Sequence, residues 1–121
     1  MLVPILKQGD ILIACIQAAL SDQDLVQLKD GLSEQVVRFR ARGVIIDLSA
    51  LDVMDSFATR TIRDIVTLMH LHGAEAVVVG IQPDTAFAMV ALGLTLDART
   101  AFDLEDGLIL LHQRGIENLC S

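Results

Sequence analysis

The chain has 121 residues, the size of one ordinary globular domain, so we expect a single domain spanning residues 1–121. Its formal net charge of −7 argues against a nucleic-acid partner, because binding to phosphates requires clustered Lys and Arg. Hydrophobic residues make up 53% of the chain, but no uncharged run reaches the roughly 18 residues of a membrane-spanning helix, and no signal-peptide layout is present. We therefore expect a cytoplasmic protein, part of whose apolar surface is covered by partners.

The first predicted elements are two short strands and a helix. The apolar runs 2–6 and 11–16 flank a Gly9-Asp10 turn, which is typical of an antiparallel hairpin. Ser21 then opens a helix, because its hydroxyl can cap the first turn. Apolar residues recur in this helix at spacings of three and four and predict one buried face: Leu25, Leu28, Leu32, Val36 and Phe39.

The end of this first helix is predicted from its basic residues and a glycine. Arg38, Arg40 and Arg42 fall in the last turns, where positive charge favours the negative end of the helix dipole. That explanation is favoured over an anion-binding site. Gly43 is predicted to supply the left-handed residue that ends the helix.

A buried strand and a second helix follow. Residues 44–48 are too apolar for a half-exposed strand and predict a central strand covered on both faces. A loop over residues 49–55 leads into a helix from Ser56 to about His72. Its predicted core face comprises Ala58, Ile62, Ile65, Val66 and Met69. Three further apolar residues lie toward one flank and form a candidate interface: Phe57, Leu68 and Leu71.

The remaining elements complete an alternating pattern. Residues 76–80 predict a buried strand, 85–92 a short helix, 97–100 a last or edge strand, and 103–112 a helix that ends near Gly115. Strands that alternate with helices predict an α/β fold with parallel central strands. With the hairpin at one edge, we expect a mixed sheet of four to five strands with helices mainly on one face.

The sequence contains no recognisable arrangement of residues for catalysis. His70 and His72 are two residues apart and point to different sides of a helix, so they cannot share a metal, and His112 has no accompanying ligand cluster. Cys15 lies in an apolar strand and is expected to be a buried, inert thiol. No glycine-rich phosphate loop or nucleophile motif occurs. We expect no enzymatic activity, metal or cofactor.

Asp47, Asp52 and Asp55 suggest a minor alternative. Acidic residues around the carboxyl end of a parallel strand can bind Mg²⁺. Their spacing here is loose, and no lysine follows on the next strand to pair with a phosphorylated aspartate. Solvated or capping carboxylates are the favoured interpretation.

Ser56 is the main candidate for a functional residue. It lies where the loop after a parallel strand meets a helix, the usual location of function in α/β sheets. Asp55 or Ser56 caps this helix, and a capping serine needs no further role. A phosphate on Ser56 would instead turn a nearly neutral apolar surface near Phe57 strongly anionic, while Asp52 and Asp55 would repel it. Residue chemistry leaves capping and a regulatory switch both open.

The stretch from strand VIIDLS through loop ALDVMDS into the following helix resembles the core motif of STAS domains, the anti-sigma-factor antagonist fold. The order of predicted elements also fits, so the resemblance covers essentially the whole chain. It implies that Ser56 is the serine phosphorylated by a partner serine kinase. Thr59 and Thr61 are secondary candidates with less support.

The residues after Ser56 depart from the simple antagonists, which usually continue with a small-residue run. Here the run is Phe57-Ala58-Thr59-Arg60-Thr61, and the DSF start resembles RsbS-type stressosome scaffolds. That resemblance implies at least a dimer that co-assembles with a sensor STAS paralogue of the RsbR type. It also implies capture of an RsbT-type switch kinase, release on phosphorylation of Ser56, and resetting by an RsbX-type phosphatase.

Two other functions stay open at this point. One is a simple antagonist that binds an anti-sigma kinase one-to-one. The other, from a different class, is a small nucleotide-binding α/β protein of flavodoxin-like appearance. Particle size distinguishes the first from a scaffold, and nucleotide turnover would indicate the second.

Overall fold

The structure is a computed structural model that describes residues 3–16, 20–51, 55–94, 96 and 98–120, with side chains described as far as residue 112. Strands and helices alternate in the predicted order. They are β1 (Ile5–Gln8), β2 (Ile11–Cys15), α1 (Asp22–Phe39), β3 (Gly43–Asp47), α2 (Ser56–Leu71), β4 (Glu75–Val79), α3 (Pro83–Ala91), β5 (Arg99–Ala101) and α4 (Leu104–Cys120). Within these ranges, none of the helices has the length and apolar character needed to cross a membrane.

The five strands form one sheet in the order β1-β2-β3-β4-β5. β1 runs antiparallel to β2, and every later pair is parallel, which confirms the predicted mixed sheet. Gly9, with φ of 62°, supplies the left-handed residue of the β1–β2 turn. β3 lies at the centre, so the loop that leaves its carboxyl end is flanked on both sides by neighbouring strands.

Apolar side chains of the strands alternate between two cores because successive residues point to opposite faces. The larger core contains Val44, Ile46 and Val78 and is covered by α1, α2 and Met89 of α3. The smaller core contains Ile45 and Val77 and is covered by α4. In the described ranges, three helices therefore lie on one face and one on the other, which agrees with the predicted arrangement. Because both faces of β3 are covered, Val44, Ile45 and Ile46 are all apolar.

The start of α1 is as predicted, but its end is not. Ser21 caps the helix, and its hydroxyl and the Asp24 carboxylate exchange hydrogen bonds with each other's backbone amides. Arg40, not Gly43, is the left-handed residue at the end, with φ of 50°. Gly43 instead begins β3. A Cβ at this position would lie 2.8 Å from Leu111 Cδ1, so the absence of a side chain lets α4 approach the sheet.

Two further expectations for this region are wrong. Phe39 is exposed because it is the last helical residue, and the cationic groups of Lys7 and Arg38 lie over its ring at 5.7 and 5.3 Å. Arg42 lies beyond the helix and its side chain pairs with Asp10 at 3.6 Å. That ion pair is solvent-exposed, so it contributes little to stability.

The last helix is longer than predicted. α4 continues through Gly115 to Cys120, because one glycine costs a helix only about 1 kcal/mol and does not end it without a left-handed turn. Gly107 serves packing in the same helix, since a Cβ there would lie 2.8 Å from Val79 Cγ1. The predicted end of this helix near Gly115 is therefore wrong, since the helical backbone reaches Cys120.

Candidate functional site

The candidate site is built on the loop that leaves β3 at the carboxyl edge of the sheet. Asp47 Oδ1 accepts hydrogen bonds from the backbone amide of Ser49 at 2.9 Å and from its hydroxyl at 2.5 Å. This local turn ends the strand. Leu48 and Leu51 then bury their side chains in the larger core. The first half of the loop is thus fixed by the Asp47 carboxylate and by the buried side chains of Leu48 and Leu51.

The neighbouring loop after β4 packs directly on this turn. Gly80 adopts a positive φ of 74°, and a Cβ on it would lie 2.8 Å from Ser49 Cβ and 2.9 Å from Ser49 N. Gln82 Nε2 donates a hydrogen bond to the Ser49 carbonyl at 2.8 Å. These contacts couple the loop before α2 to the start of α3. In the sequence, only the glycine that directly follows a buried strand indicated these contacts.

Asp55, not Ser56, caps α2. Asp55 has extended backbone torsions, and its Oδ1 accepts a hydrogen bond from the Ala58 amide at 2.7 Å. The Asp55 carbonyl also accepts hydrogen bonds from the backbone amide and the hydroxyl of Thr59, both at 3.0 Å. Of the two capping residues that the sequence left open, the structure selects Asp55, and Ser56 is not the N-cap.

Ser56 is the first residue of α2 and its side chain is exposed. Its hydroxyl makes no hydrogen bond to any described residue. Phe57 beside it is half exposed, at 37%. The structure thus presents a free hydroxyl next to an aromatic surface at the N-terminus of a helix, where backbone amides favour negative charge.

Thr59, the secondary candidate for phosphorylation, is only 2% exposed, and its hydroxyl is bound to the Asp55 carbonyl. Thr61 is also buried, at 6%. Neither hydroxyl is accessible to another protein in this conformation. Of the three hydroxyl residues at the start of α2, only Ser56 presents its side chain to solvent.

The predicted carboxylate cluster is not assembled by the residues that the structure describes. Asp47 is engaged with Ser49 and Asp55 with Ala58, while Asp52 lies outside the described residues. No group of three His, Cys, Asp or Glu in the described ranges is arranged to hold a metal ion. His70, His72 and His112 are all exposed.

The candidate interface on α2 divides between core and surface. Leu68 is partly buried and packs against the larger core, whereas Leu71 is 77% exposed. A small apolar cavity of about 90 Å³ opens beside the start of the helix. It is lined by Ile16, Leu20, Leu25, Leu51, Asp55, Ala58 and Ile62.

Cys15 lies opposite Asp47 in the parallel pairing of β2 and β3. Its thiol is half-buried rather than fully buried. Burial, with a further contribution from the Asp47 charge, raises the pKa of Cys15 above its ordinary value. The raised pKa favours the protonated thiol at neutral pH, whereas the expectation of a fully buried side chain is wrong.

Comparison with known proteins gives a consistent result. The family model for the STAS domain matches residues 3–106. RsbS from Moorella thermoacetica, solved with a serine-to-glutamate substitution, is 36% identical over 93% of this chain and 97% of that one, with a TM-score of 0.81. A chain from the molecular architecture of the stressosome, described as a signal integration and transduction hub, is 33% identical over 93% and 98%, with a TM-score of 0.77.

The anti-sigma factor antagonist SpoIIAA in its unphosphorylated form shares the fold, with a TM-score of 0.66 over 98% of both chains, but only 10% identity. A search of curated proteins gave no significant match.

Proposed function

This chain belongs to the STAS domain family, and we propose that it is a non-enzymatic scaffold that captures a serine/threonine switch kinase and releases it when Ser56 is phosphorylated. The assembly is a stressosome-like complex with sensor STAS paralogues of the RsbR type. The kinase is of the RsbT type, and an RsbX-type phosphatase resets the system. Similarity to RsbS and to a stressosome chain over nearly the full length supports this assignment over a simple antagonist.

The observation that carries the proposal is the exposed hydroxyl of Ser56, which is the first residue of α2 and does not cap the helix. Phosphorylation adds about −1.5 to −2 charges at neutral pH. Because Asp55 already provides the cap, the phosphate can form without removing a hydrogen bond from the fold. The change is therefore confined to the surface that includes Phe57, where added charge and its hydration disfavour an apolar contact with the kinase.

The test is intact mass after incubation with the cognate kinase and ATP. We expect wild type to gain one phosphate and Ser56→Ala to gain none. Ser49→Ala is the matched control, because Ser49 is also an exposed serine at the same edge of the sheet. An unchanged phosphate gain in Ser56→Ala would refute the site.

The assembly is tested separately by size. The chain mixed with its sensor paralogue is expected to elute as a very large particle. Persistent small dimers in that mixture would contradict the scaffold and favour the one-to-one antagonist.

A further inference from the structure

The edge of the sheet at which the parallel strands begin carries a basic surface that the proposed function does not use. Lys7 of β1, and Arg38 and Arg40 at the end of α1, are all exposed. The Lys7 ammonium and the Arg38 guanidinium lie over the ring of Phe39 at 5.7 and 5.3 Å, so one aromatic side chain holds two cations in place. We call Lys7, Arg38, Phe39 and Arg40 the basic edge.

The cations of the basic edge have no carboxylate paired with them within the described ranges. Arg42 nearby is different, because its side chain lies 3.6 Å from the Asp10 carboxylate. Acidic residues gather instead in the first turns of helices at the other end of the strands: Asp22, Asp24, Asp84, Glu105 and Asp106. Charge is therefore segregated along the strand direction, and the basic edge is available to negative charge from another molecule.

The helix dipole explains only part of this cluster. Arg38 lies in the last turn of α1, but Arg40 follows the helix. Arg40 has φ of 50° and is the only residue other than glycine with a positive φ in the described part of the chain. The Ala41 amide donates a hydrogen bond to the Val36 carbonyl at 3.1 Å, so α1 ends in a Schellman-type turn, whose left-handed position usually carries glycine.

An arginine at this left-handed position costs stability that a glycine would not cost. Residues held in unfavourable backbone conformations cluster at functional sites. The property that Arg40 has and glycine lacks is a charged guanidinium on an exposed side chain. The backbone and the missing counter-charges thus point independently to a role in binding.

The chemistry of the basic edge fits a carboxylate-rich protein segment. Guanidinium groups bind carboxylates through two parallel hydrogen bonds, and Phe39, which is 40% exposed, can pack against an apolar side chain. Nucleic acids and anionic membranes fit less well, because they present dense negative charge to a chain whose own net charge is −7. The exposed Asp10, in the turn at the same edge, would also oppose a wide anionic surface.

We propose that the basic edge binds a short acidic segment of a partner protein, with carboxylates on Arg38 and Arg40 and an apolar side chain against Phe39. Lys7 adds positive charge beside them. The inference goes beyond the proposed function, because Ser56 follows the carboxyl end of β3, at the opposite end of the strands. A partner held at the basic edge therefore leaves Ser56 accessible.

The test is fluorescence anisotropy of a labelled peptide of about ten residues, all glutamate apart from one central leucine. Wild type is expected to bind it with a dissociation constant of about 0.1–1 mM in about 20 mM salt, and more weakly in about 150 mM salt. Arg40→Gly is expected to weaken binding by about threefold or more. The same variant should raise the melting temperature by a few degrees, since glycine relieves the left-handed backbone. Loss of binding in a more stable variant cannot come from damage to the fold.

Arg99→Gln is the matched control, because Arg99 is an exposed arginine on β5, the strand at the other side of the sheet. It removes the same charge and should leave the affinity close to that of wild type. Arg38→Gln should weaken binding as Arg40→Gly does, and it tests the surface at a second residue. A peptide with lysine in place of glutamate should not bind.

Absence of peptide binding by wild type, unchanged affinity in Arg40→Gly, or an equal loss in Arg99→Gln would each overturn the proposal. Tighter binding of a thymidine oligonucleotide of the same length, or of vesicles containing phosphatidylserine, would show a different class of partner and overturn it too. Ser56→Ala is expected to bind the peptide as wild type does. A chain that binds the peptide but gains no phosphate from the kinase would remove the proposed switch and keep the basic edge.

Discussion

The Asp55 carboxylate accepts a hydrogen bond from the Ala58 amide at 2.7 Å, and this bond assigns the cap of α2 to the residue before the candidate phosphorylation site. The helix cap and the proposed phosphorylation site are therefore adjacent side chains. Asp55 and Ser56 can each be mutated without the other, so their separate roles can be tested.

Asp55→Ala is expected to lower the free energy of unfolding by about 1 kcal/mol, because it removes the N-cap hydrogen bond. Ser56→Ala is expected to change it by less than about 0.5 kcal/mol, since the Ser56 hydroxyl has no partner among the described residues. Urea denaturation followed by circular dichroism measures both. Equal losses in the two variants would contradict the assignment of the cap.

Ser56→Glu is expected to fold normally and to lose capture of the kinase. Glutamate is favourable in the first turn of a helix, and exposed Arg60 lies four residues on, where opposite charges attract by about 0.3–0.5 kcal/mol. A double-mutant cycle with Arg60→Gln measures that coupling by denaturation. Continued tight capture of the kinase by Ser56→Glu, in a pull-down, would count against a charge-driven release.

Gly80→Ala is expected to destabilise the fold by about 2 kcal/mol or more, because it combines a left-handed backbone with a clash against Ser49. Gly73→Ala is the matched control: Gly73 also has a positive φ, of 86°, but a Cβ there has no atom within 4 Å. Gly73→Ala should therefore lose less stability than Gly80→Ala. Hydrogen exchange at the Ser49 and Leu51 amides should accelerate only in Gly80→Ala; equal behaviour of the two variants would argue against the contact.

Alkylation of Cys15 tests the electrostatics at the edge of the sheet. Both burial and the Asp47 charge disfavour the thiolate, so the pKa of Cys15 is raised and stability from this group is lost only as pH rises through that raised value. In a Cys120→Ser background, iodoacetamide should react slowly at pH 8, and Asp47→Asn should speed the reaction by lowering the pKa. A rate unchanged by Asp47→Asn would show that Asp47 has no influence on the thiol.

Local sequence patterns predicted the order of elements, the mixed sheet and the starts of α1 and α2. They failed where tertiary contacts decide the role of a residue. Gly43 follows a helix and resembles a helix end, but its lack of a side chain serves the approach of Leu111 from a helix almost seventy residues later. Phe39 fits the helical repeat, yet it is exposed at the final position of α1.

The candidate site shows the same limit. The sequence pointed to Ser56 and its neighbourhood, and the STAS resemblance is confirmed. The sequence could not decide whether Asp55 or Ser56 caps α2, because both residue types are good caps and the choice depends on backbone torsions. It also missed the exposure of Phe87 and Val90 on α3, since composition alone does not tell which apolar residues of a short helix face the core.

The hydrogen bond from Gln82 to the Ser49 carbonyl joins the entrances of α2 and α3. Through this bond, a change at one entrance can alter the free energy of the other. Thermodynamic linkage makes such an effect reciprocal: if an event near Ser56 alters binding of a partner at the start of α3, that binding must alter the event by the same free energy. A partner bound there would then have an affinity that depends on whether Ser56 is phosphorylated.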